Sequence, residues 1–89
     1  MALVSTAVDH EMYYALEVDE ETGRYYISFP VSNRMVDYVE YYEIDQQTYE
    51  RYLADLPSAL PFVVECKRHQ HDDLLLFQPG SDRGTPWGL

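Results

Sequence analysis

The residues with the most overt chemistry lie in one short run, Cys66-Lys67-Arg68-His69-Gln70-His71-Asp72-Asp73. Thiolate, imidazole and carboxylate all bind zinc, so Cys66, His69, His71 and Asp73 are the candidate set for a mononuclear site. The spacing of His69, His71 and Asp73 also opens a His-x-His-x-Asp-His metal motif, but Leu74 stands where the last histidine is required. Cys66 could alternatively act as a nucleophile, with His69 one helical turn on as its base and Lys67 and Arg68 favouring the thiolate. Plainer accounts exist for each. A cysteine on the apolar stripe of a helix is ordinarily a small buried hydrophobe, and the histidines and aspartates after it read as a polar helix end. The favoured expectation is therefore no catalytic residue, no metal and no cofactor. Sixteen acids make accidental carboxylate pairs unavoidable, and no glycine-rich phosphate loop, nucleophile elbow or Cys-x-x-Cys pair is present.

A second constellation suits recognition rather than catalysis. Three tyrosine doublets, Tyr13-Tyr14, Tyr25-Tyr26 and Tyr41-Tyr42, are set among carboxylates, with Tyr38, Tyr49 and Tyr52 close by. Adjacent strand residues point to opposite faces of a sheet, so a doublet in a strand sends one ring away from any single core. Outward tyrosines among acids suit a surface that docks on something basic. The ordinary alternative is that tyrosine favours strands and tolerates half-burial.

The elements that would position these residues read as follows. Met12 to Val18 alternates, with Met12, Tyr14, Leu16 and Val18 inward and Tyr13 outward. A loop through Asp19–Arg24 closes on Gly23 and leads to a return strand, Arg24 to Val31, with Tyr25, Ile27, Phe29 and Val31 inward and Tyr26 outward. Residues 36 to 44 form a third strand whose facing stays open: Val36, Tyr38, Tyr42 and Ile44 are the more apolar set, but burying them carries Glu40 inward. Asp45 caps a helix over Gln46–Asp55, and Pro57 ends it. Ser58 opens a second helix bearing Ala59, Leu60, Phe62, Val63 and Cys66. The apolar run Leu74–Phe77 is a possible fourth strand. Residues 1–10 read as an N-terminal arm and 79–89 as an irregular C-terminal tail of one domain spanning 1–89. The expected fold is α+β, an antiparallel sheet of three or four strands with two helices on one face, in the order β-β-β-α-α-(β).

Composition bounds the function. The 89 residues suffice for one modest core. The formal charge is −10, and residues 9–55 hold twelve acids against Arg24, Arg34 and Arg51. Such a balance argues against direct nucleic-acid binding, which needs basic side chains on phosphates. A single cysteine fits a reducing compartment. The opening residues make a poor signal peptide, and no apolar run approaches the length of a bilayer span. Cytoplasmic localisation without membrane contact is the expectation.

Small, acidic, tyrosine-rich α+β chains without a catalytic motif resemble the immunity proteins of bacterial toxin–immunity systems, contact-dependent growth inhibition and related polymorphic toxins among them. The segments Glu65–Leu75 and Pro79–Pro86 have the look of small proteins encoded beside such toxins. The resemblance implies a stoichiometric inhibitor whose partner is a cognate toxin domain, a nuclease that is basic around its active site. It carries no binding residues across. Those are chosen from strand facing and charge: Tyr13, Tyr26, Tyr38 and Tyr42 as anchors, with Glu17, Asp19, Asp37, Glu40 and Glu43 to steer. An adaptor or regulator that uses the same face on a non-toxic partner is the alternative.

Overall fold

A computed structural model describes residues 1–80 and 83–88. Four antiparallel strands run in spatial as well as chain order: β1 (Leu3–Asp9), β2 (Tyr14–Asp19), β3 (Tyr25–Ser32) and β4 (Asp37–Ile44). They are followed by α1 (Gln46–Ala54), a 3₁₀ turn (Leu56–Ala59), α2 (Leu60–Lys67) and a second 3₁₀ turn (Asp72–Leu74). A two-residue strand, β5 (Thr85–Pro86), then pairs with β3 at Val31 and Ser32, past the last residues of β3 that β2 reaches. The class is α+β, an open antiparallel sheet with both helices on one face.

The hairpin of β2 and β3 forms for the reasons its sequence gives. The Gly23 amide donates to the Asp19 carbonyl at 2.7 Å with Gly23 at φ 74°, a conformation glycine adopts without steric penalty. Register then sets Leu16 opposite Ile27 and Glu17 opposite Tyr26. On the helix side, Tyr14, Leu16, Ile27, Phe29, Val31, Tyr42 and Ile44 meet Tyr49, Tyr52, Ala59, Val63 and Cys66 in one core. The α1 cap is also as read, with Thr48 N donating to Asp45 Oδ1 at 2.7 Å.

Four features differ from the sequence reading. The segment expected as an arm is the edge strand β1, whose pairing shifts between Ser5 and Ala7. That bulge reverses the alternation midway, so no period of two is visible. The second strand begins at Tyr14 rather than Met12, because Asp9 Oδ1 accepts the Glu11 and Met12 amides and Tyr13 turns at φ 56°. Ser58 is no cap: its hydroxyl donates to the Asp55 carbonyl inside the 3₁₀ turn that precedes α2. The run Leu74–Phe77 makes a single antiparallel bridge, Leu75 to Tyr42, and the short closing strand lies at Thr85–Pro86 instead.

Candidate docking face

The two-layer fold leaves the second face of the sheet without helices. The register that sends Tyr14, Leu16, Ile27 and Phe29 into the core sends Ala15, Glu17, Ser28, Pro30, Val39 and Tyr41 to this open face. Val8 of β1 lies across from Ala15 and is exposed, as is Val39. At one end, Trp87 donates its amide to the Pro30 carbonyl at 3.0 Å and its indole N–H to Ser32 Oγ at 2.6 Å. The Tyr13 ring stands edge-on to Trp87, with centroids 5.5 Å apart and planes at 80°. Lys67 ties this corner from below, its buried Nζ donating to the carbonyls of Met12 (2.9 Å) and Trp87 (2.6 Å). Desolvation holds the Lys67 ammonium below the usual lysine range.

The nine expected recognition residues divide between the two faces. Tyr13 is 42% exposed on the open side, as expected. Tyr26 points to that side but is only 1% exposed, lying between cross-strand neighbours Glu17 and Glu43 and edge-on to Tyr41. It is a covered ring, not an available anchor. Asp37 is exposed and accepts from Ser32 Oγ at 2.6 Å, while half-buried Glu43 lies 3.7 Å from the Arg24 guanidinium. Asp19 is buried in the hairpin turn. The Ala2 amide, then that of Glu21, holds its carboxyl below the usual range, so it is a turn-forming group.

Tyr38, Glu40 and Tyr42 face the helices, which corrects their placement on a docking surface. Glu40 is 5% exposed and is met by Arg83, with Nε 3.0 Å from Oε2 and Nη2 3.1 Å from Oε1. The same guanidinium reaches Asp72 at 2.7 and 3.0 Å and the Tyr42 hydroxyl at 3.1 Å. Tyr42 in turn lies 2.9 Å from Glu40 Oε1, and Tyr38 accepts the Gly84 amide at 3.0 Å. The inward course of β4 thus buries a carboxylate together with its cation, which comes from the tail segment that showed no periodicity.

The alternative chemical residues are not gathered. Cys66 lies in the core, where burial and then the charge of Glu65 push its thiol up to about 12. His69 sits at φ 62° where α2 ends, its amide on the Cys66 carbonyl and that of Gln70 on Glu65, so it serves as a helix terminator. His71 pairs with Glu65 at 2.8 Å and stacks on Phe62, and Asp73 is exposed. Among the described residues no three of His, Cys, Asp and Glu are arranged to hold a metal ion. Among them, too, no helix is long and apolar enough to cross a membrane.

Several open-face groups were not among the nine expected recognition residues: Val8, Pro30, Val39, Tyr41 and Trp87. Tyr41 carried the clearest signal, as the outward partner of Tyr42 once Glu40 turns inward. Its phenol is raised by burial and then by the nearby charge of Glu17. Set against known protein families, curated proteins and solved structures, the chain matches none of them.

Proposed function

We propose that this chain is a protein inhibitor of the immunity type, which neutralises a basic cognate toxin domain, a nuclease, by docking on it in the cytoplasm through the open face of the sheet. The observation that carries this reading is the face itself. Val8, Pro30, Val39 and Tyr41 form an apolar strip with the Tyr13–Trp87 pair at one end, and Asp9, Asp37 and Glu43 stand at its margins. Aromatic rings with few rotatable bonds are efficient anchors. Surrounding acids on a chain of charge −10 speed encounter with a basic surface.

The experiment is reconstitution with the toxin domain encoded beside the gene. Nuclease activity should fall in proportion to added protein, and Tyr13→Ala with Trp87→Ala should weaken binding. Complex formation without loss of activity would indicate an adaptor rather than an inhibitor. A toxin indifferent to the protein at high concentration would refute the assignment.

A further inference from the structure

We propose that Glu17 is the receptor for one long basic side chain, lysine or arginine, that a protein partner inserts into the open face; the inference rests on the docking reading above and adds its anchor. Three acids of the sheet are buried: Glu17, Asp19 and Glu40. Glu40 has the Arg83 guanidinium, and Asp19 has the backbone amides of Ala2 and Glu21. Glu17, 7% exposed, has only hydroxyls: Ser5 Oγ lies 2.8 and 2.9 Å from its two oxygens, and Ser28 Oγ 2.9 Å from Oε1. Two hydroxyl protons leave part of a carboxylate's acceptor capacity unused. Among the described residues no cation forms an ion pair with it. A buried carboxylate is ordinarily paired, and here the described residues supply no cation for it.

The surroundings fit a cation arriving on an aliphatic stem. Glu17 lines a cleft of about 370 Å³ that opens on the sheet face, with Val8, Ala15, Pro30, Val39 and Tyr41 as its walls. That volume lies near the small end of ligand sites. Apolar walls suit the methylenes of lysine or arginine, and a tyrosine ring beside the carboxylate adds a surface that attracts cations. The other ionisable groups at the cleft do not fill the role. Asp9 is engaged by the Glu11 and Met12 amides, and His10 is exposed. Lys67, the buried cation of the Tyr13–Trp87 corner, donates to backbone carbonyls.

The test uses amide NMR titration of the full chain with N-acetyl-lysine methylamide and N-acetyl-arginine methylamide, with the norleucine analogue as uncharged control. Saturable shifts should centre on Ala15, Ser28, Val39 and Tyr41 with at least one cationic probe and be absent with norleucine. Glu17→Gln keeps a carbonyl oxygen for both serines and should weaken the probe by about tenfold or more, as for loss of a charge-assisted hydrogen bond. Glu50→Gln, at an exposed position of α1 away from the cleft, should leave the titration unchanged. Equal titration of Glu17→Gln, or shifts spread evenly over the exposed acids, would overturn the anchor. Should Glu17→Gln not fold, Val39→Trp narrows the cleft from an exposed position and must abolish the same shifts. A partner protein held as tightly by Glu17→Gln but lost with Tyr13→Ala would leave the open face standing and remove this anchor. Indifference to both variants would remove the face as well.

Discussion

Arg83 and Glu40, 43 residues apart in sequence, form a two-pronged ion pair at 3.0 and 3.1 Å beneath the sheet. The pair explains how β4 can turn its more apolar side inward while carrying a carboxylate with it. It also fixes the C-terminal segment, since Arg83 binds Asp72 and Tyr42 at the same time. Removing one member of a buried pair leaves the other charge uncompensated, which is destabilising by about 3–5 kcal/mol. Arg83→Met should therefore lower unfolding stability by about that amount, and the double variant Arg83→Met with Glu40→Gln should recover a substantial part. Urea denaturation of the three proteins checks this. Equal stability of Arg83→Met and the wild type would mean that the pair is not the fastening of the tail.

Gly84 has no room for a side chain. A Cβ there would overlap the Ser32 carbonyl and press on the Asn33 amide. The next residue begins β5, so Gly84→Ala should shift the strand off β3 and disturb the Gly84–Tyr38 and Trp87–Pro30 hydrogen bonds. The expected loss is about 1–3 kcal/mol, the usual range for overpacking. A red shift of Trp87 fluorescence should accompany it. Unchanged emission and stability would show that the closing strand tolerates displacement.

Stability should fall at both ends of the pH range, for different groups. The hydrogen bond from Arg83 holds the Asp72 carboxyl below its usual value. A depressed carboxylate contributes stability above its unfolded pKa of about 3.9 and loses it as pH drops through its folded value. Asp72→Asn should thus flatten the acid limb of the stability curve. Burial, and then the charge of Asp9, raise Tyr14 to about 12. A raised group contributes stability that is complete below its unfolded pKa of about 10 and is lost as pH climbs through its folded value. Tyr14→Phe, which also gives up the hydroxyl bond to the Leu56 carbonyl at 3.0 Å, should cost about 1 kcal/mol at neutral pH and flatten the alkaline limb. Chemical denaturation across pH reads both limbs.

How much was legible follows the range of the interactions involved. The β2–β3 hairpin and the α1 cap depend on neighbours in sequence, so alternation, Gly23 and Asp45 were enough to locate them. The facing of β4 depends on Arg83, and no local pattern around Glu40 could supply that partner. β1 was hidden because its bulge interrupts the alternation that identifies a strand. Tyr26 was read correctly as pointing away from the helices, yet direction does not fix exposure: Glu17, Glu43 and Tyr41 crowd it on its own face. The apolar run Leu74–Phe77 shows the converse, since burial of Leu75 required one bridge and not a strand.

The division of tyrosines between the faces gives the sharpest prediction about recognition. Tyr13 and Trp87 are exposed and meet edge to face, whereas Tyr42 is fully buried within the Glu40–Arg83 cluster. Tyr13→Ala should change unfolding stability little, because the turn keeps its Asp9-capped amides and the residue gives up an exposed ring. Tyr42→Ala should instead cost about 3–5 kcal/mol, as truncation of a large buried aromatic does. Against a basic partner the order reverses. Tyr13→Ala should speed dissociation with little effect on association, since an anchor acts on lifetime and the unchanged acids set encounter. The association rate should fall as salt is raised, because the exposed margins are screened. Surface plasmon resonance of folded Tyr13→Ala, with salt as a second variable, separates the two effects. A wild-type dissociation rate for that variant would take Tyr13 out of the interface.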